Sequence, residues 1–535
     1  MIKRLLFIHF SLWTLIGLGQ NQVFVDGERF SEWTTSDTLE LKNKTEDQIR
    51  KFWEKGYLFA GLDSIRQTSI FLHRGARIKL AEVDGGTISF SEVVNHANEQ
   101  LNTKINSGYP FARLWWDSLR LENGRMKYSM NFDNGPLVTN DSIILLSAID
   151  TKRQFIAQML GMQKGTLFRE KDFGAISDRL TRVSFLTAKR PADISFQNGK
   201  SWTYLDLEET STGSFEGVMG VLPNQSAGGK PLITGNLNLS LLNLFRSGKE
   251  LDFDWERFGQ QSQKLDLRYK HPFIAGSKLH FEGQFGLLRQ DTSFIGRMVG
   301  LRTSFFIADR VGLGFAFEQS TGDVIATNSA RIISNNWLDF QQSSYSISVS
   351  STQGKNSTPV NFTNYDLKFG VGERVISMNP NLPVEQYDTV NLRTTNSELT
   401  ARFEFQRMMN KRTGIYWNAT SAHQSNPQLI SNQLYRLGGL KTLRGFNEEF
   451  FFAASYVTSQ VEVRVFFEQE SYLFAFYDQG FLKNQAWESP LGLGGGFSLR
   501  TNSGLFSFAM AVGKTQNIPF EFANMKVHFG YLSRF

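Results

Sequence analysis

The second half of the chain alternates between apolar and polar residues with a period of two, and the charges fall on one parity only. Between residues 457 and 467 the odd positions are mostly valine, whereas the even positions include Thr458, Gln460, Glu462 and Arg464. The same parity recurs at 251–256, 265–269 and 399–405. Successive side chains of a strand point to opposite faces, so each of these segments predicts a strand with one apolar and one charged face.

Such strands are typical of a transmembrane barrel, where one face meets lipid and the other meets the lumen. A soluble β-sandwich also alternates, but its apolar faces pack on each other and seldom need so many charged strands. About sixteen candidate strands follow Phe215, an even number as single-chain outer-membrane barrels require. They lie near 213–222, 231–244, 249–258, 262–271, 277–289, 292–305, 311–318, 339–350, 363–374, 397–408, 411–422, 457–467, 470–480, 490–500, 503–513 and 526–535.

The last predicted strand ends the chain on aromatic residues. Phe529, Tyr531 and Phe535 share one parity, and Phe535 is the final residue. We interpret them as a carboxy-terminal barrel signal that suits both ring closure and recognition by the machinery that inserts barrels.

The first half contains an internal repeat. The phrase that begins at Gly56-Tyr57 returns at Gly108-Tyr109, and each copy follows a helix-like stretch, at 46–55 and 91–107. A third unit reads as helices at 152–160 and 170–183 followed by strands near 189–197 and 200–208. The sequence therefore predicts tandem small α+β modules at 20–85, 86–143 and 144–210, before a barrel at 211–535. One irregular globular domain is the alternative.

The amino terminus and the composition indicate export. Lys3 and Arg4 precede an apolar run from Leu5 to Leu18, which predicts a signal peptide at 1–19, because the run is shorter than the roughly 20 residues of a membrane-spanning helix. With no cysteine, disulfides, a lipoprotein acylation site and thiolate metal centres are excluded. The net charge of +6 is spread among many carboxylates, so we expect no nucleic-acid binding.

Enzymatic chemistry has little support in this sequence. The seven histidines show no metal-ligand spacing, and no Gly-x-Ser-x-Gly motif is present. The glycine run from Gly492 to Gly496 falls in a predicted strand instead of opening a helix, so it does not read as a nucleotide site. We expect no catalytic residues, no metal and no cofactor.

Two short motifs carry the most specific signal. The first is Leu443-Arg444-Gly445-Phe446, which lies between about the eleventh and twelfth predicted strands, and the second is Phe476-x-Asp478-x-Gly480 on a following strand. Together with tandem α+β modules before a barrel, these motifs resemble the BamA/TamA superfamily of outer-membrane assembly and translocation proteins, most closely a TamA-like or hemolysin-activator-like member. The amino-terminal repeats resemble polypeptide-transport-associated (POTRA) modules.

The resemblance implies that a loop at 423–456 folds back into the lumen, where Arg444 meets Asp478. An arginine suits this role because its planar group can make two bonds to one carboxylate. Gly445 would allow the loop to turn and Phe446 would pack against the wall, while Phe476, Gly480, Glu462 and Arg464 would face the lumen and extend the network. The alternative is that Arg444 and Asp478 are two unrelated surface charges of little energetic value.

The implied function is insertion of proteins into the bacterial outer membrane, or their translocation across it, with POTRA modules in the periplasm receiving the client. A two-partner secretion transporter for a dedicated exoprotein and a passive outer-membrane channel remain alternatives. The expected partners are unfolded client polypeptides, outer-membrane lipid and, in addition, periplasmic or lipoprotein accessory proteins.

Overall fold

The computed structural model describes residues 20–34, 37–66, 69–83, 86–210, 212–222, 232–259, 261–353, 361–468, 471–501 and 504–534. The predicted signal peptide and Phe535 therefore lie outside the described residues. The chain divides into two compact units: the first runs to Asn140 and includes Gly165–Lys171 and Phe196–Ser201, and the second contains the remainder. No helix in the described ranges is long and apolar enough to cross a membrane.

The first module is a four-stranded sheet with one helix. Asp37 caps the helix by accepting a hydrogen bond from the Leu39 amide, and Leu41 and Phe52 on its buried face pack against Val23 and Ile70 of the sheet. The sheet order is β2-β1-β4-β3. The elements are β1 (Gln20–Val25), β2 (Glu28–Thr34), α1 (Thr38–Glu54), β3 (Gly61–Arg66) and β4 (Ser69–His73).

The second module repeats this topology, with the sheet order β6-β5-β8-β7. In both modules the repeated Gly-Tyr phrase directly follows the helix. Because β5 pairs with β8, the second sheet already begins at Leu80, ahead of the boundary predicted after residue 85. The elements are β5 (Leu80–Val83), β6 (Gly86–Ser89), a 3₁₀ turn (Phe90–Glu92), α2 (Val93–Ile105), β7 (Arg113–Glu122) and β8 (Arg125–Asp133).

The third segment contains helices and short strands before the barrel. Its sheets have the orders β11-β12-β9 and β10-β13. The single helix predicted at 170–183 is wrong, since the chain forms two short helices separated at Ala175, directly after the weak helix former Gly174. The elements are β9 (Thr139–Leu145), α3 (Arg153–Leu160), α4 (Glu170–Gly174), α5 (Ile176–Leu180), β10 (Leu186–Ala188), β11 (Asp193–Gln197), β12 (Lys200–Leu205) and β13 (Leu207–Glu209).

Sixteen long antiparallel strands in the described ranges close into a barrel, which confirms the predicted fold class and strand number. The ring closes where β14 pairs with β32, from Ser214 opposite Arg534 to Met219 opposite Phe529. The ring strands are β14 (Gly213–Leu222), β15 (Leu232–Leu244), β16 (Lys249–Arg257), β17 (Gln263–His271), β18 (His280–Gln290), β19 (Phe294–Ala308), β20 (Val311–Val324), β21 (Asp339–Gln353), β22 (Phe362–Ser377), β23 (Arg393–Met408), β24 (Thr413–Ser425), β27 (Ser455–Phe466), β28 (Tyr472–Lys483), β30 (Leu491–Thr501), β31 (Gly504–Lys514) and β32 (Lys526–Arg534).

The remaining elements of this part lie in the connections between ring strands. They are α6 (Ser329–Ser334), β25 (Tyr435–Leu437), β26 (Phe451–Ala453), β29 (Trp487–Glu488) and the 3₁₀ turns Ile274–Gly276, Val384–Tyr387, Ser431–Gln433 and Phe522–Asn524. We call the end of the barrel where β14 begins the proximal end, and the opposite end the distal end. The long loop between β24 and β27, residues 426–454, starts and returns at the distal end.

The two faces of the ring differ as the alternation predicts. Along β27, Val457, Val463 and Val465 are exposed on the outer side, whereas Gln460 and Glu462 are buried on the inner side. Outer apolar and inner polar side chains are the arrangement that lipid outside and water inside would require.

The third segment contacts proximal turns of the barrel through a polar network. Arg179 Nε donates to Asp309 Oδ1 at 2.9 Å, and Arg182 Nε donates to the Asp309 carbonyl at 2.7 Å. On another turn, Asn243 Nδ2 donates to Thr151 Oγ1 and to Glu209 Oε1, both at 2.8 Å. These bonds connect the segment to the early ring strands.

Candidate functional site: a loop inside the barrel

The loop of residues 426–454 runs through the inside of the ring. Its side chains bond to inward-facing residues of strands far apart in the ring, including Asp254 on β16, Glu398 on β23 and Asp478 on β28. A short hairpin of β25 and β26 forms its base, with Leu437 paired to Phe451. The loop falls within the predicted span 423–456, because β24 and β27 continue slightly further than expected.

Arg444 lies near the middle of this loop and contacts two carboxylates of the wall. Its Nε and Nη2 donate to Asp478 Oδ2 at 2.8 Å and Oδ1 at 2.6 Å, which is the bidentate geometry, and its Nη1 donates to Glu462 Oε1 at 2.5 Å. The Arg444 amide also donates to Asp478 Oδ2 at 3.0 Å. Arg444 is 4% exposed and Asp478 is 0% exposed, so water screens this pair very little.

The surroundings of Arg444 favour its charged form. Burial disfavours the charged guanidinium, but the hydrogen bonds and charges of Asp478 and Glu462 outweigh burial and raise the pKa of Arg444. The guanidinium carbon lies 3.6 Å from the centre of the Phe476 ring, a cation–π contact. Arg464 continues the network, since its Nε donates to Glu462 Oε2 at 2.8 Å.

Two glycines make room for the loop against the wall. Gly445 has φ +93°, and a Cβ there would lie 2.6 Å from the Gly513 amide nitrogen of β31. A Cβ on Gly492 of β30 would lie 2.1 Å from the Arg444 carbonyl oxygen. Both distances are too short for any side chain, so the close approach of loop and wall requires glycine on each side.

Apolar residues complete the contact of the loop with the wall. Phe446 stacks edge-on against Phe451 at 4.8 Å between ring centres, and both belong to a buried cluster with Leu443 and Leu482. A Cβ on Gly480 would lie 3.0 Å from Leu443 Cδ1, so this glycine also leaves room for the loop.

A second part of the loop faces an acidic stretch of β16. Lys441 Nζ lies 2.6 Å from Asp254 Oδ2, and the Leu440 amide donates to Glu448 Oε1 at 2.9 Å. Burial and the nearby Glu256 raise the pKa of the loop carboxyl of Glu448 to about 8. The uncharged form of this carboxyl is therefore favoured in the lumen.

The structure brings most of the sequence-predicted site residues together and leaves the terminal aromatics apart from them. One continuous network in the lumen contains eight of them: Arg444, Gly445, Phe446, Asp478, Phe476, Gly480, Glu462 and Arg464. Phe529 and Tyr531 lie on β32, where both rings contact Phe506 of β31.

Sequence reasoning missed several residues that hold the loop. Tyr435 donates to Glu398 Oε1 at 2.8 Å, and Arg374 of β22 donates to three oxygens of the loop. Glu398 directly precedes the alternating segment 399–405 and has the parity of its charged positions, which is the signal that could have placed it in the lumen. No local signal indicates which loop residue reaches each wall position.

No protein-family model matches the sequence, and no curated protein matches it. Among solved structures, the chain is similar to CdiB from Acinetobacter baumannii, with a TM-score of 0.55 and 13% identity over 99% of this chain and 91% of that one. It is also similar to CdiB from Escherichia coli, with a TM-score of 0.54 and 12% identity over 93% of this chain and 97% of that one. At this identity the likeness concerns the fold alone, and it shows that this chain shares the fold of CdiB.

Proposed function

We propose that this protein is a bacterial outer-membrane barrel that inserts proteins into the membrane or translocates them across it. Its proximal end and its modules would face the periplasm, and its outer apolar band would face lipid. The shared fold with CdiB, the alternation of the wall and the loop bound inside the lumen all support this assignment.

The observation that carries the proposal is an unpaired strand edge on the second module. Strand β7 pairs only with β8, so one side of its backbone has no strand neighbour among the described residues. Trp115 and Leu119 on this strand are 47% and 49% exposed, and Trp116 and Leu121 are exposed as well. An edge of this kind is a template for another strand, which water-soluble proteins usually protect.

Apolar side chains flank this edge on both faces of the sheet. Trp116 lies opposite Met130 on the face that includes buried Tyr128, whereas Trp115 lies opposite Asn131 on the other face. An extended apolar segment could therefore pair with the β7 backbone and contact an indole on each side. This is the strand-addition mode of peptide recognition, which suits an unfolded client.

Transfer of the client would use binding and not covalent chemistry. The modules would pass an extended segment toward the ring, and the junction between β14 and β32 would receive it. The loop network would hold the lumen in a defined state during this transfer. Periplasmic or lipoprotein accessory partners would dock on the remaining module surfaces.

A dedicated two-partner secretion transporter is the second candidate, because the motifs resemble a hemolysin-activator-like member and the chain shares the fold of CdiB. The resemblance to such transporters would imply an amino-terminal plug helix, which residues 20–45 would have to provide. Residues 20–34 instead form β1 and β2 of the first sheet, which favours the broader assembly or translocation role.

The proposal is tested by capturing clients from the periplasm with the full-length protein. Many unfolded barrel precursors would support an assembly role, and one large exoprotein would support dedicated secretion. The double variant Trp115→Ser, Trp116→Ser should capture at least several-fold less of either client. Capture of no polypeptide by the unmodified protein would contradict the proposal and favour a passive channel.

A further inference from the structure

Arg374 of β22 is a fully buried cation that the loop itself surrounds. It is 0% exposed. Its Nη1 donates to Gln433 Oε1 at 3.0 Å, and its Nη2 donates to Asn426 Oδ1 at 2.9 Å and to the Gln428 carbonyl at 2.5 Å. All three acceptors belong to the first part of the loop.

No carboxylate neutralises this charge, and Arg374 makes no ion pair within the described ranges. Side-chain amides of the loop extend the network to neutral groups of the wall: Gln433 donates to Gln342 of β21, and Asn426 donates to the Thr394 hydroxyl of β23 at 3.0 Å. A buried charge is costly unless it is compensated, and here only neutral oxygen dipoles compensate it. Withdrawal of the loop segment would remove all three acceptors, so Arg374 favours the bound position of that segment.

Two segments of the loop are thus held by different chemistry on different strands. We call residues 426–435 the stem and residues 436–450 the tip, because Arg436 pairs with Glu449 and Leu437 packs in one buried cluster with Leu443. The stem bonds to the wall near β21–β23, and buried Ile430 anchors it in an apolar cluster with Ile332 and Leu338. The tip bonds to carboxylates of β27 and β28 through Arg444 and to a carboxylate of β16 through Lys441.

We propose that Arg374 is a positioning residue that holds the stem independently of the tip, so that the tip can leave its carboxylates while the stem stays bound. Release of the tip would then uncover the inner face of β27–β31, next to the β14–β32 junction. The stem would still occupy the lumen beside β21–β23. The proposal concerns the loop itself and does not depend on which polypeptide the barrel transports.

Amide hydrogen exchange of the full-length protein in micelles tests this, because each segment has its own hydrogen-bonded amides. Ser431 donates to the Asn336 carbonyl in the stem, and Arg444 donates to Asp478 in the tip. In Arg374→Gln we expect the stem amides to exchange at least tenfold faster while the tip amides stay within about twofold of the original protein. In Arg444→Gln we expect the reverse.

Conservative substitution separates positioning from general packing. Arg374→Lys keeps the charge and can still reach one or two of the three oxygens, so it should restore part of the stem protection. If Arg374→Gln prevents barrel formation, Gln433→Ala removes one acceptor from the loop side and should raise stem exchange alone. Faster exchange of stem and tip together in either variant, or unchanged stem exchange in Arg374→Gln, would overturn the proposal.

Discussion

Replacing Arg444 by alanine should release the loop tip from the wall. The change removes three side-chain bonds to carboxylates, at 2.5 to 2.8 Å, and leaves Asp478 buried without its charged partner, whereas Glu462 keeps Arg464. Removing one partner of a buried ion pair costs about 3–5 kcal/mol. If this cost falls on local opening of the tip, the open fraction rises roughly 10²- to 10⁴-fold.

Limited proteolysis of the loop in membranes, together with amide exchange at residues 436–450, measures this effect. Arg412→Ala, at a proximal turn away from the loop, is the matched control and should change neither measurement. The two amino-terminal modules should keep their own protection, since their cores contain no barrel residue. A fully protected tip in Arg444→Ala would refute the assignment of Arg444 as the main anchor.

A paired replacement separates the charge from the packing at this site. Arg444→Met combined with Asp478→Val removes both charges and stays close to the side-chain volume of the pair, and such apolar pairs are often as stable as the ion pair they replace. We therefore expect the double variant to regain much of the tip protection that Arg444→Ala loses. Equal losses in the single and double variants would show that the cost does not come from a buried unpaired charge.

Three further predictions concern the surroundings of the loop. Gly445→Ala should displace the tip, because the new Cβ would lie 2.6 Å from the backbone of the wall. Gly283→Ala on β18 is the control, since its Cβ would make only an ordinary contact at 3.9 Å. Proteolytic cleavage of the loop should increase in Gly445→Ala alone. Glu448 has a pKa raised from 4.5 to about 8, so it binds a proton more readily when the loop is inserted, and tip stability should fall as pH rises from about 4.5 to 8. The amide exchange rates of the tip, corrected for the intrinsic pH dependence of exchange, should show this fall in stability. In Glu448→Gln the fall should be absent. Asp309→Asn should weaken the side-chain ion pairs of Arg179 and Arg182 with the proximal turn and raise amide exchange there, although the bond of Arg182 to the Asp309 carbonyl remains. Unchanged exchange in the turn would contradict the role of the Asp309 carboxylate in docking the third segment.

Period-two alternation was sufficient to predict the barrel, because strand periodicity is local and the charged parity marks the lumen directly. Glu462 and Arg464 could be placed for that reason. The contact of Arg444 with Asp478 came from the resemblance of the motifs to a known family and not from periodicity.

Other features depend on how distant parts of the chain meet. Arg374 lies in a predicted strand, but its acceptors in the loop are more than fifty positions away, and only the path of the loop through the lumen brings them together. The start of the second module was misplaced for a similar reason, since β5 is recognised by its pairing with β8. Local patterns cannot show such long-range partners.

Site-specific crosslinking in cells tests whether the second module delivers an extended polypeptide to the barrel. The chain has no cysteine, so Leu119→Cys on the β7 edge gives a unique attachment point for a short crosslinker, and Thr87→Cys on the opposite edge strand β6 is the matched control. If β7 receives the client, polypeptide adducts should form at position 119, should be lost with Trp115→Ser and should be absent at position 87. Equal adducts at both edges, or none at position 119 while the protein remains functional, would contradict this delivery.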